Sequence, residues 1–219
     1  MDWSFIVNAA PRFANATWMT VQLSFWGIVL SLAVGLPVAL ALMSGVRLLA
    51  WPARLYVELS RNTPLLIQLF FLYYGLPKIG IRWDGFTCGV LALTFLGGSY
   101  MAEALRGGLQ AVARGQTEAA RALGLRSWQV WRYVVLPQGV AIALPALAAN
   151  ALFLLKETSV ISAVAVAEIL FLTKDIIGSD YMTNEALLLM FLSYLVLLLP
   201  LSWLAALGEK RLRRAAYGT

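Results

Sequence analysis

The chain has 219 residues, 61% hydrophobic and only 13% charged, with a net charge of +6, one cysteine and no histidine. A soluble domain carries about 25% charged residues, so this composition calls for an apolar solvent around most of the chain. The missing histidine excludes imidazole metal sites, histidine triads and histidine proton relays, and Cys88 alone makes no intrachain disulfide.

In chain order, the N-terminus lacks the parts of a cleaved signal. Asp2 stands where a positive region belongs, and Trp3 to Val7 is too short for an apolar core, although Ala14-Asn15-Ala16 mimics a cleavage site. A spanning helix needs about 20 mostly apolar residues, and a charge at midplane costs roughly 2.5–3.5 kcal/mol on insertion scales. The charge-free gaps therefore predict helices near 17–43, 58–77, 85–106, 138–166 and 186–208. The second gap is short, so its helix is expected to begin around Glu58 or Arg61, with Asn62 and Thr63 as caps and Pro64 in the first turn. The expected fold is an all-α integral membrane bundle of about five transmembrane helices in a single domain, 1–219.

Basic residues sort by side. Twelve fall in alternate connections, namely Arg47, Arg54 and Arg61, then Arg106 to Arg132, then Lys210 to Arg214; four fall on the other side and Lys156 lies within a span. The positive-inside rule then places the N-terminus outside and the C-terminus in the cytoplasm. This distribution accounts for the net charge without nucleic acid. The basic tail reads as a topological anchor, with binding of anionic lipid as the lesser reading. Gly85-x-x-x-Gly89 has the spacing of a helix-packing contact, a spacing common by chance in apolar sequence.

The cytoplasmic segment about 107–137 is longer than a simple bundle needs. Glu118-Ala119-Ala120-Arg121-Ala122-Leu123-Gly124 reads as a short helix ended by glycine, and Ser127 as the cap of a second, containing Trp128 and Trp131, that stops at Pro137. The pair suits either docking of a soluble partner or an amphipathic hairpin lying in the headgroup belt.

Glu118-Ala119-Ala120, Gly124 and Val135-Leu136-Pro137 resemble the EAA loop of permease subunits in ATP-binding-cassette importers. Arg61 to Leu66, Tyr100 to Gly107, Arg114-Gly115-Gln116 and Lys156 to Val160 resemble segments of the polar amino-acid branch of that family, although Val160 stands where leucine is common. The resemblance covers most of the chain from about Val57 to Leu170. It implies a type I importer permease in a bacterial inner membrane, paired with an identical or paralogous permease. It further implies two ATP-binding subunits that receive the coupling loop, and an extracytoplasmic solute-binding protein. ATP and its magnesium would sit on the ATPase subunits: this chain has no P-loop pattern, and none of its lysines follows a glycine. It is not expected to be an enzyme, and no cofactor or metal is expected in it.

Within that frame Glu118, Ala119, Ala120, Gly124 and Pro137 are the expected ATPase-coupling residues, Glu118 by a polar contact and Gly124 by the turn between the loop helices. A charge such as Glu118 also favours a helix N-terminus. Intramembrane charges are expensive and usually functional. Glu157 or Glu103 is expected to accept a solute ammonium, and Lys156, Thr158 and Ser159 to donate to its carboxylate, with Thr63 and Gln68 as further liners. The plainer alternatives are pairing of Glu103 with Arg106 and snorkelling of Lys156. Two other function classes compete. An ion-coupled secondary carrier or channel would need no coupling loop, and an intramembrane hydrolase at Gly97-Gly98-Ser99 would lack a histidine base.

Overall fold

The computed structural model describes residues 1–217, with side chains as far as Gly208; those of the basic tail, Lys210 to Arg214, lie outside the described residues. Eight helical rods make up the described residues: α1 (Trp3–Met43), α2 (Arg47–Arg61), α3 (Leu65–Ile79), α4 (Gly85–Gln110), α5 (Arg114–Ala122), α6 (Ser127–Val164), α7 (Ile169–Ser179) and α8 (Thr183–Tyr217). Four of them, α1, α4, α6 and α8, are long and apolar enough to cross a membrane, and α3 is a shorter apolar rod. In its most apolar stretch α4 is 72% buried, against 22% for α1 and α6 and 6% for α8. So α4 is the central post and the others turn apolar faces outward, toward lipid or partner chains.

The first helix starts well before residue 17. The Asp2 carboxylate accepts from the N–H of Ser4 at 2.9 Å and of Phe5 at 3.1 Å, which caps it at Trp3. Reading spans from charge-free gaps began the helix near 17, in the gap that opens after Arg12. That charge is tolerated because it pairs with Asp175 at 3.2 Å, in the C-terminal half of α7, and with Asp180 at 3.7 Å, just after that helix. With 41 residues, α1 is about 60 Å long, twice the hydrocarbon thickness.

The second crossing is not one helix over 58–77. It is a pair, α2 and α3, broken at Asn62-Thr63-Pro64. Asn62 ends α2, its amide donating back to the Glu58 carbonyl at 2.8 Å, and the Thr63 hydroxyl turns back to the Leu59 carbonyl. Neither residue caps α3, and Pro64 is its boundary residue. Proline pushes the residue before it out of the helical region and has no N–H to offer Ser60. Small residues on the buried face of α2, Ala50, Ala53 and Ser60, bring it close to α1 and α4.

Close approach also decides the fit of α1 and α6 on α4. A side-chain carbon at Gly97 would lie 2.6 Å from Leu154 Cδ1 and 2.9 Å from Ser31 Cβ, so only glycine lets all three helices meet. The Gly85 and Gly89 spacing packs against Val166 and Ile161 respectively, in the non-α segment after Glu157.

The last loop helix does not stop at Pro137; α6 runs on from Ser127 to Val164. A π-turn over Trp131–Val135, closed by the Leu136 N–H on the Trp131 carbonyl, loosens the ladder just ahead of the proline. A second π-turn, Phe71–Gly75, precedes Pro77 in the same way. Such local widening rehouses the carbonyl groups that a proline ring displaces. Ser127 is the first helical residue rather than the cap: the Arg126 N–H is instead satisfied by the Gln129 side chain at 2.8 Å. Beyond Glu157 the rod tightens to a 3₁₀ turn, Thr158–Val164, and ends at Ala165 with φ 59°. The short α7 was not anticipated, because its 11 residues carry both Lys174 and Asp175 and are too few to span.

Candidate functional site

The break between α2 and α3 sits level with the middle of α4. The Ser60 hydroxyl lies 2.9 Å from Ser99 Oγ and 2.8 Å from the Phe95 carbonyl, both near the middle of α4. Around the break opens a cavity of about 400 Å³ lined by Arg61, Asn62, Thr63, Tyr100, Phe153 and Glu157 together with aliphatic side chains, a volume inside the usual range for small-molecule sites. The Arg61 guanidinium lies over the Tyr100 ring at 5.0 Å. Tyr100 is fixed from α6, by Phe153 at 5.3 Å between rings and by Asn150, which donates to the Tyr100 carbonyl at 3.1 Å. Among the described residues neither Arg61 nor Glu157 belongs to an ion pair, so a positive and a negative group stand in one half-buried hollow with their charge uncommitted.

The sequence-predicted residues divide around this hollow. Glu157 and Thr63 line it. Lys156 is exposed on the other side of α6, in a hollow shared with Phe191 and Tyr194 of α8. Successive helical residues diverge by about 100°, which is why the Lys–Glu pair parts. Thr158 and Ser159 donate their hydroxyls to the carbonyls of Leu155 and Lys156, at 2.7 and 2.9 Å. Glu103 is held by Arg106, at 2.6 and 3.2 Å, and does not line the hollow.

Gln68 lies behind the break, in a larger apolar hollow of about 680 Å³ between α3 and α4 that it shares with Thr63. Its amide donates at 3.0 Å to both the Ser60 and Thr63 carbonyls. The first of these is the carbonyl that Pro64 leaves without a donor, so Gln68 is a splint across the break. Arg61, Asn62, Tyr100 and Phe153 were missed as liners. Arg61 had been counted as a cytoplasmic loop charge, and the structure places it beside Tyr100 instead; removing it leaves the charge bias standing. The signal that marked Arg61, Asn62 and Tyr100 was their place in the segments beginning Arg61-Asn62-Thr63-Pro64 and Tyr100-Met101; nothing in the sequence marked Phe153.

At the far end of α4, α5 and the first turns of α6 form a knob. Gly124 has φ 80°, with its N–H on the Arg121 carbonyl at 2.9 Å and the Leu125 N–H on the Ala120 carbonyl at 3.2 Å. These two bonds and the left-handed glycine close α5 as a Schellman turn. Ala120 is buried against Leu109, Val130 and Val135, while Glu118 and Ala119 are exposed. Leu123 is 84% and Trp128 59% exposed beside them. Among the described residues Glu118 has no ion-pair partner. Pro137 is exposed on the stem of the knob.

A membrane bundle with a charged hollow level with the middle of α4 and an exposed knob on one end has the build of the membrane-embedded subunit of a solute transporter. The family described as binding-protein-dependent transport system inner membrane component matches residues 17–214. The probable glutamine ABC transporter permease protein GlnM of Bacillus subtilis is 34% identical over 98% of this chain and 100% of its own length. The glutamine transport system permease protein GlnP of Escherichia coli K12 is 32% identical over 97% and 98%. A crystal structure of an amino acid ABC transporter with histidines superposes with a TM-score of 0.90 at 36% identity, covering 96% of this chain and 99% of that one. The inward-facing MetNI methionine transporter, at 18% identity and a TM-score of 0.77, shares the fold. The chain belongs to the binding-protein-dependent inner-membrane component family and is a permease subunit of an ABC transporter.

Proposed function

We propose that this permease moves a polar amino acid into the cytoplasm through the charged hollow, driven by ATP hydrolysis on a partner subunit. The observation that carries this is the uncommitted Arg61 and Glu157 in one cavity. A zwitterion needs a donor for its carboxylate and an acceptor for its ammonium, and the two residues supply them, with the Asn62 amide and Tyr100 ring beside them. The relatives named for glutamine, and the structural neighbour named for amino acids, support this substrate class. Thr63 lines the solute side; Gln68, Lys156, Thr158 and Ser159 hold the walls.

ATP and magnesium belong to two ATP-binding subunits docked on the knob, where Glu118, Ala119 and Leu123 face outward, Ala120 seats the loop helix on the bundle, and Gly124 and Pro137 set the geometry. The exposed apolar faces of α3 and α8 fit a second permease, identical or paralogous, and a solute-binding protein meets the α7 side. The charge bias puts the N-terminus outside and the C-terminus in the cytoplasm. Closure of the ATPases would carry the knob, and with it α4 and α6, as rigid bodies.

The test is gentle purification of a tagged copy from its native membrane, with mass spectrometry of what accompanies it. A soluble P-loop subunit is expected. The recovered complex, in vesicles supplied with ATP on the knob side, is expected to accumulate a polar amino acid, and the Glu157→Gln complex to lose that accumulation. Repeated recovery without any ATPase, or uptake that collapses with an uncoupler while ATP remains, would move the carrier reading to the front.

A further inference from the structure

Glu168 is fully buried and plays no part in the proposed pathway or the knob. It follows the left-handed Ala165 and caps α7: one carboxyl oxygen accepts from the Phe171 N–H at 2.6 Å, and the other lies 3.4 Å from the Tyr194 hydroxyl of α8. Lys174, on α7 itself, is the nearest cation, and its ammonium is held by Ser162 at 3.0 Å. From α1 the neighbour is Thr20, whose hydroxyl receives the Ile169 N–H at 3.4 Å, and from the 3₁₀ turn come Ser162 and other uncharged residues. Tyr194 and Lys174 are thus the titratable groups facing this carboxyl among the described residues. Tyr194 also borders the hollow of Lys156, one residue from Glu157.

We propose that Glu168 is a positioning residue for transport, fastening α7 to α8 when protonated and loosening it when ionised. The proton moves only between the carboxyl and outside water. The neutral acid keeps its bond to the Phe171 N–H and can donate to the Tyr194 oxygen. The carboxylate keeps both acceptors but must hold a charge away from water, which favours any arrangement that lets water reach it. Loosening frees Tyr194 and the turn behind Glu157, so the outer end of the pathway responds to the pH outside. This rests on the hollow being the solute pathway.

Burial pushes the Glu168 carboxyl up to about 7, against the pull of the Leu170 and Phe171 N–H groups, the Tyr194 hydroxyl and Lys174. An unfolded glutamate titrates near about 4.3. The folded value is the higher one, so the folded state holds the proton longer, and the docking of α7 weakens as pH rises from the unfolded value through the folded one.

Two readouts test this on the purified complex in vesicles. Hydrogen exchange of the Ile169–Ser179 amides, corrected for the intrinsic pH dependence, is expected to lose protection steadily as pH rises from about 4.3 and to level off past the midpoint of the Glu168 titration near 7. Glu168→Gln, which mimics the neutral acid, is expected to stay protected across that range. Uptake by the wild type is expected to follow the same curve and uptake by Glu168→Gln to be flat. Tyr194→Phe, which removes one donor to the carboxylate, is expected to raise the midpoint and keeps the test open if Glu168→Gln fails to fold. Identical exchange profiles in wild type and Glu168→Gln, or an unmoved midpoint in Tyr194→Phe, would overturn the assignment. Exchange needs no transport. A pH-dependent exchange profile with no uptake at any pH would sink the pathway reading and with it the transport role, leaving only a structural switch; uptake with identical exchange would sink the Glu168 role alone.

Discussion

At the scale of single residues, the most informative side chain is Gln68, because its role follows from an absence. Pro64 offers no N–H, so the Ser60 carbonyl has nothing in its own helix to receive from. The Gln68 amide supplies that bond and a second to Thr63, each at 3.0 Å. Gln68→Leu keeps the volume and removes both donors. Leaving a buried acceptor unmet costs on the order of 1–3 kcal/mol, so the variant is expected to lower the Tm of the purified complex by roughly 2–10 °C. An unchanged Tm would mean that water or lipid headgroups reach the break. Arg61 and Glu157 are the complementary case, two opposite charges lining one hollow and neither in an ion pair among the described residues.

At the scale of elements, the turn after α5 makes a sharp prediction. Nothing lies within 4 Å of a side-chain carbon placed on Gly124, yet its φ is 80°. A β-branched residue there pays in backbone strain alone, about 1–2 kcal/mol or somewhat more. Gly124→Val is expected to insert and assemble normally but lose uptake, whereas Gly124→Asn, tolerant of that conformation, keeps most of it. Wild-type uptake by Gly124→Val would refute a coupling role. This turn was legible in the sequence because glycine after a helical run has few other reasons to be there. The spans were legible too, since charge is excluded from them. Their ends were not. Arg12 seemed a terminator until Asp175 and Asp180, more than 160 positions away, came beside it. Pro137 seemed a stop because nothing local announces a π-turn. The break at Asn62-Thr63-Pro64 was read as a cap, since the same residues serve a helix start and a helix interruption equally well. Which of Lys156 and Glu157 faces the hollow depends on the rotation of α6, which neighbours on α4 decide.

At the scale of the whole molecule, the orientation proposed from the charge bias is open to a direct check. Leu123, 84% exposed on the knob, can be replaced by cysteine, since native Cys88 is fully buried. In intact cells Leu123→Cys is expected to resist an impermeant maleimide and to react once the membrane is opened, placing the knob in the cytoplasm. Labelling in intact cells would invert the topology.

The unbroken run of α6 past Pro137 has a mechanical consequence. Trp128 on the knob and Glu157 at the hollow lie on one rod, separated by nearly thirty residues or about 44 Å. A rod of that length is a lever: tilting it by about 5° about its knob end carries the hollow's wall roughly 4 Å. A small angular stroke at the cytoplasmic end therefore becomes a displacement comparable to the width of an amino-acid side chain at the far end, without any helix having to melt. The π-turn at Trp131–Val135 and the interior Pro145 are compliant joints in that lever, so their stiffness sets how much of the stroke arrives.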